Sequence, residues 1–314
     1  MQEQLIGVDV SKDTLDICLW PAQASLRIGN GRGEIKRWLK SLALGTRIAM
    51  ESTGAFHQLL AELAAQMGMR PYVLNPKRVW HAARGDGRRS KTDRIDAQVI
   101  AKFLADHLDS LHEWRPGSAI QREIGELQRR RHCLERHVTA LHMSLKTVHG
   151  LGNEVAAVET SLKQAMHAID LRIDLLGELD QTIADKSALL QTVPAIGRVG
   201  ALSLATLFER IPFASDDAVV AFVGLDVRAC DSGTRRGKRH LTKLGPAYLR
   251  KQIWLMGFAG SHTKVYRPIY EALVAKGFKF TEAATILGRR ILRIAWAIWR
   301  TGKCFDPARF AAQG

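Results

Sequence analysis

The sequence predicts an α/β fold followed by helices: a mixed sheet with packed helices in the first third, then a long helical connector and a mainly helical last domain. Three observations carry that reading. Short apolar runs divided by turn residues continue as far as Leu74, which is the spacing of strands. From 118 to 186 the apolar residues recur at helical spacing, with a break at 150–152: Leu127, Leu134, Val138, Leu141, Leu145 and Val148 form one stripe, and Ile169, Ile173, Leu176, Leu179 and Ile183 another. Beyond 187 come apolar helical segments separated by glycine-containing turns. The boundaries follow these changes: 1–115, 116–186 and 187–314.

Leu5–Val10 is the first strand and carries Asp9 in an apolar run. Ser11, Lys12 and Asp13 form a turn into Thr14–Trp20, so the chain opens on a hairpin. A third strand occupies 25–28, and 33–44 has helical spacing, with Ile35, Trp38, Leu39 and Leu42 on one side. The strand at 47–50 ends at Glu51, and Ser52, Thr53 and Gly54 turn the chain into a helix marked by Phe56, Leu59, Leu60, Leu63 and Met67. Gly68 closes that helix before a strand at 71–74. An acidic helix then starts at Asp93 and Asp96 and runs to about residue 105 on Ile95, Val99, Ile100, Phe103 and Leu104.

Composition narrows the function. Lys and Arg number 46 against 31 Asp and Glu, a formal charge of +15, which favours a polyanionic partner. The four cysteines, Cys18, Cys133, Cys230 and Cys304, lack the close pairing of a zinc site and read as free thiols. No leader-like segment opens the sequence and charges interrupt every apolar stretch, so we expect a cytoplasmic protein without a membrane span.

Asp9, Glu51, Asp93 and Asp96 are the candidate catalytic carboxylates. Oxygen ligands of this kind hold Mg²⁺ or Mn²⁺ against a phosphodiester, and four of them at one point need cations to offset their repulsion. The competing reading makes Asp93 a helix cap with Asp96 as its capping-box partner. Asp9 fits such a structural role less well, because a charge in an apolar strand needs a partner. Asp13 reads as a turn residue and Asp16 as an outward strand position.

Basic residues cluster in two places. Lys77, Arg78, Arg88, Arg89 and Lys91 surround Gly85 and Gly87 in what reads as a loop before the acidic helix. Arg235, Arg236, Lys238, Arg239 and Lys243 follow Ser232 and Gly233 in the last domain. Both are candidate contacts to a phosphate backbone, and solvated loops are the alternative. The segment TVPAIGRVGALSLATLF has the outline of a helix-hairpin-helix turn, with Ala195 where a glycine is usual. A final helix spans 280–302, with Ile286, Ile291, Ile294, Ala295 and Ile298 as its apolar side.

The segments IGVDVSKDTLDICL, ESTGAFHQLL, NPKRV and GRRSKTDRIDAQVIAKFL, in that order, resemble the motifs of the DEDD insertion-sequence transposases. That family includes Piv-type site-specific DNA invertases and bridge-RNA-guided recombinases. The resemblance implies an N-terminal RuvC-like, ribonuclease-H-type domain whose four acidic metal ligands match Asp9, Glu51, Asp93 and Asp96. It implies that Ser232 attacks DNA to form a covalent serine-phosphate intermediate. Thr242 stands where relatives commonly carry a second serine. The resemblance further implies donor and target DNA as substrates, a structured bridge RNA as guide, and a homodimer assembling to a homotetramer through the helical connector. The expected function is therefore a Mg²⁺-dependent DNA transposase or site-specific recombinase. A metal-dependent junction nuclease, and a non-catalytic nucleic-acid-binding protein, are the alternatives.

Overall fold

Strand β1 (Leu5–Val10) pairs antiparallel with β2 (Thr14–Trp20), and Asp9 stands directly opposite Asp16. The turn between them is closed by Ser11, whose backbone N–H and hydroxyl both donate to the Thr14 carbonyl, at 3.0 and 2.8 Å. This computed structural model describes residues 4–52, 56–85, 93–148, 150–228 and 239–308, and the side chains of 84, 85 and 93–95 lie outside that description. The chain divides into two compact units, Met1–Pro116 and Gly117–Gly314.

In the first unit β3 (Ala24–Gly29) is antiparallel to β2, while β4 (Arg47–Glu51) and β5 (Arg70–Leu74) continue the sheet in parallel on the other side of β1. The strand order is β3-β2-β1-β4-β5. One face carries Ile6, Val8, Val10, Leu15, Ile17, Ile48 and Met50, and it is covered by α1 (Arg32–Leu39) and α2 (Gln58–Gln66). The opposite face is covered by α4 (Asp93–His107), which buries Ala97, Ile100, Ala101 and Leu104.

Two elements differ from expectation. Helix α1 stops at Leu39 rather than 44, because Lys40–Gly45 is a reversing turn in which the Ser41 hydroxyl donates to the Trp38 carbonyl and Gly45 takes φ +79°. The segment read as a basic loop begins instead as α3 (Pro76–Gly85). Asn75 starts it, its side-chain oxygen accepting from the Lys77 N–H at 2.9 Å, and Pro76 supplies a helix-compatible φ without needing a partner for an N–H.

The second unit opens with α5 (Ala119–Leu145), started by a reciprocal capping box between Ser118 and Gln121. It packs against α6 (Gly152–Leu179), and the pair is bridged by Arg131 to Asp170 at 2.5 Å and Arg172 to Glu123 at 2.7 Å. Leu179 was expected on the apolar stripe of this connector and is instead 70 % exposed. The helix breaks at Asp180, which accepts from the Ile183 N–H and caps α7 (Gln181–Gln191), so the register of the stripe changes there. Ile124, Ile173 and Leu176 join one core with the helices that follow.

Those helices are α8 (Arg198–Arg210), α9 (Asp216–Phe222), α10 (Ala247–Gly260), α11 (Arg267–Ala275) and α12 (Phe280–Thr301). Helices α10 and α12 cross backbone against backbone. A Cβ on Gly257 would stand 1.9 Å from the Ala284 carbonyl, and one on Gly288 would stand 2.3 Å from that of Ile253. On α12 the buried residues include Leu287, Ile291, Leu292, Ala295 and Trp296, so the face expected from 280–302 is present but rotated toward the leucines.

The turn between α7 and α8 has the predicted two-helix outline, and Ala195 within it takes φ +71°. A left-handed alanine costs about 1–2 kcal/mol, which glycine avoids at the expense of a more flexible unfolded chain. Ala195→Gly is therefore expected to raise the melting temperature by a few degrees, read by differential scanning fluorimetry. An unchanged or lower value would mean that the turn accommodates the alanine without strain. Among the described residues no helix is long and apolar enough to cross a membrane.

Candidate functional site

Alternation along β1 sends Ile6, Val8 and Val10 to one core and Leu5, Gly7 and Asp9 to the other face. That second face belongs to α4. Leu5 packs against the cluster that holds Ile100, Phe103 and Leu104, from the C-terminal half of the helix. At Gly7, a Cβ would lie 2.3 Å from both the Ala97 carbonyl oxygen and the Ala101 nitrogen, so the middle of the helix rests directly on the strand. The helix thus runs opposite to β1, and Asp9 lies toward its N-terminal end, where Asp93 and Asp96 are found.

Glu51 reaches the same place by a separate route. Strands β1 and β4 are parallel, with Val8 beside Met50, so Asp9 and Glu51 follow as the next neighbours at the strand ends. Within β4, Ile48 and Met50 enter the α1–α2 core while Ala49 joins the α4 side, which puts Glu51 on the same face as Asp9. Adjacent strands are about 4.8 Å apart. Asp9, Glu51 and Asp96 are each half-buried. The backbone of Asp93 opens α4, and its side chain lies outside the described residues.

Among the described residues no group of three or more His, Cys, Asp or Glu stands close enough to hold a metal ion. The donor type nonetheless suits a hard divalent cation: Asp9 and Glu51 offer carboxylate oxygens at neighbouring strand ends. Asp16 was expected to point outward. Its pairing with Asp9 and the burial of Cys18 against Ala97 and Ala101 place it on the α4 face instead, where Arg27 of β3 holds it. The signal was available: a turn at Ser11–Asp13 sets the hairpin register that pairs the two aspartates.

The basic candidates scatter. Lys77 and Arg78 are exposed on the first turn of α3, and the Arg78 guanidinium lies 5.7 Å from the centre of the Phe103 ring. Arg88, Arg89 and Lys91 lie outside the described residues, as do Ser232, Arg235, Arg236 and Lys238. What is described is the base of the serine segment. A short antiparallel ribbon of β6 (Val227–Arg228) and β7 (His240–Leu241) flanks it. The Thr242 N–H donates to the Asp226 carbonyl at 3.1 Å, and the Thr242 hydroxyl donates to the Asp226 carboxylate. Arg239 and Lys243 are exposed beside that ribbon.

Tyr248 stands in the first turn of α10. Burial pushes its phenol above the ordinary range, with the Arg210 guanidinium opposing that shift, so the group is held neutral on α10.

A mixed sheet with carboxylates at the ends of its central strands and an acidic helix across them is the frame of a RuvC-like transposase domain. Family models agree along the chain: the DEDD transposase model matches residues 6–148, and one described as Transposase IS116/IS110/IS902 family matches residues 187–271. The chain belongs to the IS110-type DEDD transposases, a family of enzymes that cut and rejoin DNA. It is also similar, at 24 % identity over 325 residues, to a pilin gene-inverting protein of Moraxella lacunata. A pilin gene-inverting protein of Moraxella bovis is 23 % identical over 325 residues, and in both comparisons 98 % of each chain is covered.

Proposed function

We propose that this protein is a site-specific DNA recombinase with a composite centre, in which Asp9, Glu51, Asp93 and Asp96 bind Mg²⁺ or Mn²⁺ and Ser232 is the nucleophile. The observation that carries the reading is the placement of Asp9 and Glu51 side by side on the face crossed by α4, toward the acidic end of that helix. A divalent cation bound there supplies Lewis-acid stabilisation of charge on the scissile phosphate. The four carboxylates hold the cation and fix its place relative to the sheet. The Ser232 oxygen forms a bond to phosphorus as the bond from phosphorus to one strand's oxygen breaks; the serine proton is released to solvent and the departing oxygen takes one from solvent, leaving a free hydroxyl end. The phosphodiester energy is kept in the serine ester, so a second DNA hydroxyl can attack phosphorus and restore the serine; this favours exchange over hydrolysis.

Lys77, Arg78, Arg88, Arg89 and Lys91 in the first unit, with Arg235, Arg236, Lys238, Arg239 and Lys243 in the second, are the proposed backbone contacts. The net charge of +15 supports a large polyanionic load of donor and target DNA and a structured bridge RNA. The pilin gene-inverting relatives support a second reading, inversion of a DNA segment, for which we propose no guide RNA. Sequencing the RNA retained by purified protein separates the two: one structured species supports guidance, and its absence supports inversion.

The catalytic reading is tested with wild type, Asp9→Ala and Ser232→Ala on cognate ends in Mg²⁺. Both variants should lose exchange, and Ser232→Ala should form no covalent protein–DNA adduct. Full exchange by Ser232→Ala would sink the serine mechanism, and cleavage without rejoining that survives Ser232→Ala would favour a carboxylate-only nuclease.

Assembly to a dimer and then a tetramer is assigned to α6. Leu171, Leu175 and Leu179 recur every fourth residue and are 52, 56 and 70 % exposed, a stripe suited to a second helix. Leu175→Glu is expected to shift the protein to a smaller species in light scattering after size exclusion, and an unchanged mass would remove this stripe from the interface.

A further inference from the structure

Two carboxylates standing directly across an antiparallel pair repel each other, and Asp9 and Asp16 are such a pair. The next strand supplies a cation. Asp16 stands opposite Arg27, whose Nε donates to one carboxylate oxygen at 2.8 Å and whose terminal nitrogen donates to the other at 2.9 Å. This is a two-point fork with planar geometry, more specific than a point charge. The Asp16 side chain is 14 % exposed and that of Arg27 is 59 % exposed, so the carboxylate faces inward and the cation sits at its solvent side.

The direction of that fork matters. Strand β2 lies between β1 and β3, so a carboxylate engaged through both oxygens by β3 is turned away from β1 and from Asp9. An exposed ion pair with no other task contributes little. This pair stands on the α4 face, one strand from the proposed metal ligands, and there its orientation decides how many carboxylates converge.

We propose that Arg27 is a positioning residue for the acidic centre: it holds Asp16 toward the sheet edge and so keeps a fifth carboxylate out of the metal-binding set. The proposal rests on the metal reading of Asp9, Glu51, Asp93 and Asp96, and it explains how an inward aspartate beside Asp9 is compatible with a four-carboxylate site. Arg27 acts through Asp16.

The test uses the full-length protein as wild type, Arg27→Ala, Arg27→Lys, Asp16→Asn and the double variant Arg27→Ala/Asp16→Asn. Mn²⁺ affinity is measured by calorimetry, and strand exchange is titrated with Mg²⁺. Freeing Asp16 in Arg27→Ala should change Mn²⁺ affinity severalfold and lower exchange by about 10–100-fold, the scale on which groups orienting metal ligands act. Arg27→Lys should fall between, and the double variant should return toward wild type, because the displaced carboxylate has been removed. Arg27→Ala with Mn²⁺ affinity and Mg²⁺ dependence within twofold of wild type overturns the proposal and leaves an edge-strand ion pair.

A second arm needs no metal. In EDTA, Arg27→Ala should lower the melting temperature by about 3–6 °C, the size expected from a disturbance of this kind in a small domain. In an Asp9→Asn background that loss should shrink by half or more, since the opposing charge is gone. Equal losses in the two backgrounds overturn the proposal. Absence of Mn²⁺ binding by wild type sinks the metal reading instead, so the two failures are told apart.

Discussion

Asp9→Ala is expected to lower strand exchange by about a hundred- to a thousandfold with the fold intact. The magnitude follows from removing a fixed charge group at the point where charge develops on phosphorus, which in comparable sites costs about 10²–10³ in turnover for one donor. The fold should survive because β1 is anchored by Ile6, Val8 and Val10, each 3 % exposed or less, on the face opposite Asp9. Two measurements separate this variant from Ser232→Ala. Added Mg²⁺ or Mn²⁺ stabilises whichever state binds it, by mass action, so wild type and Ser232→Ala should melt a few degrees higher with the cation. Asp9→Ala should lose that shift. Exchange retained within tenfold by Asp9→Ala would end the four-carboxylate reading, whatever became of the serine.

How far the chain could be read without its structure depended on whether the signal was local. The hairpin, the strand ending at Glu51 and the start of the acidic helix all lie where short apolar runs meet turn residues, and the structure places them there. Helix α3 reads as a loop in the sequence because Gly85, Gly87 and a run of cations outweigh the Asn75–Pro76 start signal just before it. The stripe on α6 was carried through Leu179 because nothing in the apolar spacing marks the break at Asp180; the cap that causes it is a side-chain hydrogen bond. Asp16 reads as an outward strand position, although the hairpin register turns it inward. Polarity marks an outward position only where the buried face holds no polar centre, and next to Asp9 that condition fails.

Gly7→Val is expected to destabilise the first unit by about 3 kcal/mol or more and lower its melting transition by about 10 °C. A Cβ at Gly7 would lie 2.3 Å from the Ala97 oxygen and the Ala101 nitrogen and 2.8 Å from the Ala101 Cα. These are main-chain atoms of a helix, and no rotamer change moves them aside. The helix must lift, and Ala97, Ile100, Ala101 and Leu104, all 1 % exposed or less, lose contact with the sheet. Differential scanning calorimetry of the full chain should show that loss, and Gly7→Ala should show a smaller version of it. The comparison with Asp9→Ala is informative because the two residues share one strand and one face, two positions apart. Substitution at Asp9 should remove chemistry and spare the fold, whereas substitution at Gly7 should remove the seat of α4 and, through it, the approach of Asp96 to Asp9. A Gly7→Val protein melting within about 2 °C of wild type would mean that α4 does not rest on β1 there. The case for bringing the acidic helix to the strand ends would fall with it.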